Sequence, residues 1–150
     1  NIYCCTGVLF NHESPLRSKE FVTKKIVDTA LKIKRKKGII LRLGNVEIVR
    51  DWGWAPDYVK AIWLMMQRTK PRDFIIGSGK TYSLKDFVNE VFRYLNISKK
   101  NLKTNVSRYK RKIDLRSYKA NIADTQKILK WKPKLRFKTI IHKMINNELF

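Results

Sequence analysis

The stretch GVLFNHESPLRSKEFVTKKI, residues 7–26, joins the end of an apolar run to the start of a helical pattern. The apolar run, residues 2–10, is interrupted only by Thr6 and Gly7, and it predicts a strand buried on both faces, as in a parallel sheet. Residues 21–37 repeat apolar side chains at helical spacing. Ligands of open α/β sheets bind where the strands end. The polar turn between these elements is therefore predicted to lie at a ligand site.

Strand and helix patterns alternate through the rest of the chain. Pro56 suits the first turn of a second helix, in which Val59, Ile62 and Met66 share a face. Ser83 is predicted to cap a third helix, with an acidic residue in the capping-box position. Further strands are predicted at residues 39–43, 73–76 and 102–109, and further helices at residues 84–95, 121–131 and 137–145. This alternation predicts an α/β fold with parallel pairing.

The charge of the chain favours anionic partners. Its 150 residues, 43% of them hydrophobic, contain 34 Lys and Arg against 12 Asp and Glu, which gives a formal net charge of +22 at pH 7. Nucleic acid is one such partner, but the cations are spread over most elements and no nucleic-acid-binding motif is present. A solvated basic surface is the simpler interpretation, and a phosphorylated small molecule is the alternative ligand.

Two short motifs have structural interpretations. Cys4 and Cys5 are adjacent, so a disulfide between them would be strained, and we expect buried reduced thiols in a cytoplasmic, reducing compartment. The sequence GSGKTY, residues 77–82, resembles part of a phosphate loop but lacks the first glycine at the required distance. It is predicted to be a turn. No run of 18 apolar residues predicts a membrane span.

Two arginines suit a nucleotide ligand. Arg50 lies between a strand and a helix, and Arg111 precedes Asp114 by three residues. A guanidinium can bind phosphate oxygens in bidentate fashion, and a carboxylate can accept ribose hydroxyls. An Arg and an Asp at this spacing more often form only a salt bridge with each other. Asn11 and His12 follow the first strand, where they either contact a ligand or cap the loop.

The motifs NHESPLRSKEFVTKKI and LRLGNVEIVRDWGWAPDYVKAIWLMMQ resemble the GDP-mannose 4,6-dehydratase family of extended short-chain dehydrogenases/reductases. The segments RYKRKIDL and LKWKPKLRF resemble the C-terminal part of that family. The resemblance covers essentially the whole chain but only the second half of such an enzyme. It implies the last strands of a Rossmann sheet that binds NAD(P), followed by a smaller α/β substrate-binding domain, with residues 1–150 forming mainly the substrate-binding portion.

The resemblance also implies roles for individual residues. Two are implied to contact NADP: His12 and Arg17. Six are implied to contact the GDP-sugar: Asn11, Val22, Lys25, Arg50, Arg111 and Asp114. The family usually has Glu where this chain has Asp114, which shortens the reach towards the ribose. The family reaction converts GDP-mannose to GDP-4-dehydro-6-deoxy-D-mannose, and the complete enzyme is implied to be a homo-oligomer.

No catalytic residue is predicted within this chain. The family's Gly-rich cofactor turn and its Tyr-x-x-x-Lys pair do not occur in the sequence. We therefore expect a C-terminal half that is inactive by itself. The alternatives are another nucleotide-sugar epimerase or 4-keto reductase of the same superfamily, or, from a different class, a basic nucleic-acid-binding protein. Steep loss of binding with added salt would favour the last of these.

Overall fold

The computed structural model describes residues 2–109 and 117–149. The predicted substrate-binding residues Arg111 and Asp114 lie outside the described residues. The strands are β1 (Gly7–Leu9), β2 (Asn11–Glu13), β3 (Leu41–Arg42), β4 (Val49–Trp54), β5 (Phe74–Ile76), β6 (Thr81–Ser83) and β7 (Leu102–Lys103). The α-helices are α1 (Val22–Arg35), α2 (Ala55–Met66), α3 (Leu84–Leu95), α4 (Ala123–Leu129) and α5 (Phe137–Asn146), and short 3-10 helices span Lys99–Asn101 and Ser107–Tyr109.

The strands form three small sheets in which parallel pairing dominates. Strand β4 is the centre of one sheet, because it pairs in parallel with β2 and antiparallel with β6. Strand β1 pairs in parallel with β5, and β3 with β7. Each parallel pair is joined by a long connection that contains a helix, as parallel pairing requires. The predicted α/β class is therefore confirmed.

Two hydrophobic cores hold the elements together. In the larger core, α1, α3 and α5 pack on β4, whose Trp52 ring lies 5.6 Å from the ring of Phe87 and 6.0 Å from that of Phe137. The smaller core lies between α2, β5 and α4, and its buried residues are Tyr58, Ala61, Met65, Phe74, Ile76, Leu129 and Trp131. The ends of β2 and β4 lie between the two cores, so that groups from both sides can meet there.

Helix α3 forms where its sequence predicts it. The Ser83 side chain accepts a hydrogen bond from the Asp86 N–H, and the Asp86 carboxylate accepts one from the Ser83 N–H, which completes the predicted capping box. Asn96 ends the helix in the left-handed conformation. The apolar stripe of α3 faces the larger core, because residues at helical spacing share one side.

Strand β1 is shorter and more exposed than predicted. Only Gly7–Leu9 is extended, and the expectation of a strand over residues 2–10 buried on both faces is wrong: Val8 is 50% exposed and Leu9 is also exposed. In the described part of the chain β1 has a strand on one side only, namely β5. A parallel strand is normally buried by neighbours on both edges and by helices on both faces, and one strand neighbour cannot supply that cover.

The expectation of buried thiols is also wrong, since Cys4 is exposed and Cys5 is half-buried, although both are free thiols. They precede β1 and lie outside the strand that was expected to bury them. The predicted strand at residues 102–109 is similarly reduced to Leu102–Lys103. Asn105 takes a left-handed conformation there, with φ of 56°, and turns the chain out of the extended path.

Helix α2 presents its predicted apolar stripe outward. Val59, Ile62 and Met66 share a face, as expected, but they are exposed together with Trp63, which is 60% exposed. The neighbours of α2 among the described residues are β2, β4, β5 and α4, and they contact its opposite face. An apolar stripe with no described neighbour is a surface on which another body can pack.

Residues 77–80 of the GSGKTY segment form a turn, whereas Thr81 and Tyr82 already belong to β6. Asp51, which is 0% exposed, accepts hydrogen bonds from the N–H groups of Ser78 at 2.8 Å, Gly79 at 2.9 Å and Ala120 at 3.2 Å. A Cβ on Gly77 would lie 2.3 Å from the Ala120 Cβ, so the turn requires glycine there. The predicted turn is therefore found at residues 77–80 only, and the N–H groups of Ser78 and Gly79 are bound by a carboxylate of the chain itself.

Candidate functional site

A cleft of about 1040 Å³ lies at the carboxyl ends of β2 and β3, beside β4 and the start of α1. The predicted ligand residues of the described part all line it, with the exception of His12: Asn11, Arg17, Val22, Lys25 and Arg50. They come from three separate segments of the sequence. The fold therefore places them around one space, as expected for residues that share a ligand.

Asn11 and Arg50 form the wall built by the central sheet. Asn11 opens β2 beside β4, and its side-chain oxygen accepts a hydrogen bond from the Tyr118 hydroxyl at 3.3 Å. The Arg50 guanidinium donates to the Val49 carbonyl at 2.8 Å and lies 4.9 Å from the centre of the Tyr118 ring. Arg50 is only 8% exposed. The backbone and the aromatic ring thus hold this charge at the cleft wall.

Val22 and Lys25 come from the first turn of α1, which also lines the cleft. Val22 is the first residue of the helix and also packs against the larger core. The Lys25 ammonium donates to the Arg42 carbonyl at 3.0 Å and lies 3.8 Å from the centre of the Tyr109 ring. A cation over an aromatic face is favourable. These contacts hold the Lys25 side chain in the lining of the cleft.

Arg17 and Glu13 occupy the loop side of the cleft. The Glu13 carboxylate is 1% exposed, accepts a hydrogen bond from the Thr23 hydroxyl at 2.7 Å and lies 3.5 Å from Arg17 Nε. Burial raises the pKa of Glu13 to about 7, while the Thr23 hydrogen bond and the Arg17 charge oppose that rise. The Arg17 guanidinium lies 3.5 Å from the centre of the Phe21 ring.

His12 lies on the other face of β2. Successive side chains of a strand alternate, and Asn11 and Glu13 line the cleft whereas His12 does not. The His12 ring instead lies 5.3 Å from the ring of Tyr58 in α2, and its Nδ1 is 3.0 Å from the Phe10 carbonyl. His12 is therefore near the smaller core, and its implied contact with NADP stays a prediction.

Among the described residues, the balance of charge in the cleft is positive. Three of their cations line it, Arg17, Lys25 and Arg50, against the carboxyl groups of Glu13 and Glu20. Only Glu20 of these two carboxyl groups is exposed to solvent. Such a balance suits a ligand that carries two negative phosphates.

Sequence reasoning missed three polar groups of this cleft: Glu13, Thr23 and Tyr118. Glu13 could have been found from the period of a strand, because it lies two residues after Asn11 and must share its face. Thr23 and Tyr118 had no comparable signal, since their roles depend on tertiary contacts. Within the described ranges, no group of three or more His, Cys, Asp or Glu side chains could hold a metal ion.

Solved structures share this architecture. A dTDP-glucose 4,6-dehydratase from Bacillus anthracis in complex with NAD matches with a TM-score of 0.81 and 21% identity, over 93% of this chain and 42% of that one. The RMD protein of Pseudomonas aeruginosa, complexed with NADPH, matches with a TM-score of 0.83 and 15% identity, over 94% and 46% respectively. The fold is that of the extended short-chain dehydrogenases/reductases.

Sequence comparison identifies the family within this class. The family model for GDP-mannose 4,6 dehydratase matches residues 1–144. GDP-mannose 4,6 dehydratase 1 of Arabidopsis thaliana is 37% identical over 148 residues, which is 99% of this chain but 41% of that protein. The chain belongs to the GDP-mannose 4,6-dehydratase family, and it spans less than half the length of this relative. The resemblance inferred from its motifs is thereby confirmed.

Proposed function

We propose that this chain is the C-terminal, substrate-binding portion of a GDP-mannose 4,6-dehydratase and that its cleft binds GDP-mannose. The observation that supports this most strongly is the convergence of Asn11, Val22, Lys25 and Arg50 on one cleft of mainly positive charge. The complete enzyme would convert GDP-mannose to GDP-4-dehydro-6-deoxy-D-mannose. In this portion the protein binds and orients the nucleotide sugar.

The proposed contacts follow from the position of each group. Arg50 and Lys25 both line the cleft and would hold the diphosphate, while the Asn11 amide beside Tyr118 would hydrogen-bond a sugar hydroxyl. Tyr109 and Tyr118, the nearest cleft residues on either side of the undescribed segment, both line the cleft. This supports the proposal that Arg111 binds the diphosphate and Asp114 the guanosine ribose.

The cofactor of the complete enzyme is proposed to be NADP, which supplies the acceptor and donor of a hydride when bound. Arg17 fits a phosphate of that cofactor, because its Nε is buried and makes no hydrogen bond among the described residues, while its guanidinium is stacked on Phe21. His12 would contact the cofactor from the other face of β2. RMD, whose structure contains NADPH, supports a nicotinamide cofactor for this fold.

The remaining parts of the proposal rest on the family. A homo-oligomeric enzyme and a cytoplasmic location are proposed from the family resemblance alone. None of the described helices is both long and apolar enough to span a bilayer. We also propose that residues 1–150 do not catalyse the reaction by themselves, because the sequence holds no Tyr-x-x-x-Lys pair.

Calorimetric titration of the 150-residue chain tests the proposal. We expect saturable binding of GDP-mannose, and weaker binding of dTDP-glucose. Arg50→Ala is expected to weaken GDP-mannose binding by about 1.5–3 kcal/mol, which is roughly 10- to 150-fold, because a charge-assisted hydrogen bond is lost. In a full-length protein that restores the N-terminal half, Arg111→Ala is expected to have an effect of the same size. Arg50→Lys should recover part of the affinity, since it keeps the charge but not the bidentate geometry.

The matched control is Arg72→Ala, which removes an exposed arginine that pairs with exposed Asp124. It should leave the affinity unchanged. Thermal unfolding of each variant shows whether it is folded. If the folded wild-type chain gives no saturable heat with GDP-mannose, or binds dTDP-glucose equally well, the proposed substrate is wrong.

A further inference from the structure

Glu13 is a buried carboxyl group that takes part in none of the proposed ligand contacts. It ends β2, on the same face as Asn11, and accepts a hydrogen bond from Thr23 in the first turn of α1 at 2.7 Å. It thus joins the two walls that carry Asn11 and Lys25. A buried carboxyl group without a full set of partners is costly when ionised. The cost of burying this carboxyl group suggests that Glu13 has a role in the cleft.

The contacts of Arg17 indicate what that role is. Arg17 Nε lies 3.5 Å from the Glu13 carboxylate, too long for a good hydrogen bond, and it is a buried donor with no hydrogen-bond partner among the described residues. The side chain is 17% exposed at the cleft. Arg17 is therefore held near Glu13 by charge rather than by a formed hydrogen bond, and an anion in the cleft could compete for it.

We infer that Glu13 is a positioning residue that controls whether Arg17 is available to a phosphate group in the cleft. With Glu13 ionised, the carboxylate holds Arg17 at the wall. With Glu13 protonated, the carboxyl group keeps its contact with Thr23, and Arg17 can turn its donors towards the anion. The inference rests on the proposed function in one respect, namely that the cleft binds a phosphorylated ligand.

The charged groups around Glu13 are compatible with a change of partner at Arg17, from the Glu13 carboxylate to an anion in the cleft. Arg17 stabilises the ionised form, and Thr23 from α1 hydrogen-bonds the carboxylate. Tyr58 from α2 also faces Glu13 and stays neutral, because burial raises its pKa. The other charged groups that line the cleft are Glu20, Lys25 and Arg50. An anion that binds Arg17 favours the protonated carboxyl group, so its affinity should fall as the pH rises through about 7.

Sulfate is a suitable probe, because it does not titrate near neutral pH and its use does not assume that GDP-mannose binds. The nitrogen-edited NMR signal of the Arg17 Nε–H would be followed in the intact chain at about pH 6 and about pH 8 during titration with sulfate. We expect the apparent sulfate affinity to fall about tenfold between these two conditions, as linkage to one group that titrates near pH 7 requires.

Glu13→Gln is the decisive variant. It keeps an acceptor for Thr23 and resembles the protonated carboxyl group, so it should fold, and it should bind sulfate at Arg17 equally well at both pH values. Glu20→Gln is the matched control, because it removes an exposed carboxylate of the same cleft. The control should retain the tenfold fall.

Three outcomes would overturn the inference: no response of the Arg17 signal to sulfate, an affinity that does not change with pH in the wild-type chain, or a fall that persists in Glu13→Gln. None of them bears on whether GDP-mannose binds, which calorimetry decides separately. Conversely, failure to bind GDP-mannose would remove the proposed substrate and leave the sulfate result standing. Thermal unfolding confirms that each variant tested is folded.

Discussion

Asp51 should be one of the most costly residues of this chain to replace. Its buried carboxylate accepts three backbone hydrogen bonds, from Ser78, Gly79 and Ala120. In Asp51→Asn one oxygen becomes an NH₂ group, which faces donors and can accept nothing. At least one buried N–H then loses its partner, at about 1–3 kcal/mol, and the remaining bonds lose their charge assistance, at roughly 1 kcal/mol each. We expect a loss of about 3–5 kcal/mol in the free energy of unfolding.

Urea denaturation followed by tryptophan fluorescence measures this loss, because Trp52 is buried next to Asp51 in β4. The control is Asp124→Asn, which alters a carboxylate that is 80% exposed and should change stability by less than about 0.5 kcal/mol. Asp51→Ala adds a second test. Without the Asp51 carboxylate, the N–H groups of Ser78, Gly79 and Ala120 lose their acceptor, and sulfate could bind to them. Sulfate should therefore stabilise this variant more than the wild-type chain. A loss below about 1 kcal/mol in Asp51→Asn would refute the reasoning.

Three further predictions concern other parts of the chain. Ser83→Ala should destabilise the protein by about 1 kcal/mol in urea denaturation, because α3 loses its capping box, whereas Ser83→Thr should retain most of the stability. Burial raises the pKa of Glu13 to about 7 in the folded state, while in the unfolded chain this pKa has its ordinary value of 4.5, so the free energy of unfolding should fall as the pH rises between these values. Glu13→Gln should abolish that contribution, and an unchanged slope of stability against pH in this variant would contradict the prediction. Residues 1–150 should self-associate in sedimentation experiments, since β1 has no second strand neighbour within the described ranges, and a cooperative unfolding transition of a pure monomer would argue against this.

Local sequence patterns, such as helical periodicity and capping residues, predicted most of the helices and the cleft residues that lie on them. The start of α1 was predicted to within one residue, as was α3, whose cap and apolar stripe agree with each other. Asn11 was placed at a ligand site because it follows a strand in an α/β fold, and it does line the cleft. These features depend on residues that are close in the sequence.

The errors concern features that depend on distant partners. The apolar run before Asn11 predicted a buried strand, but burial requires neighbours on both edges, and of the described strands only β5 pairs with β1. The stripe of α2 was visible in the sequence, yet periodicity does not show which side meets the core. Glu13 and Thr23 are ten residues apart, and only the packing of α1 against β2 brings them together. The spacing of two residues along the sequence does not show whether they make such a contact.

The outward stripe of α2 has a consequence for the amount of this protein in a cell. A helix face that exposes Trp63, Val59 and Met66 is a feature that chaperones and proteases recognise in unassembled subunits. Chain in which this face stays uncovered should then be degraded faster than chain in which another body packs on it.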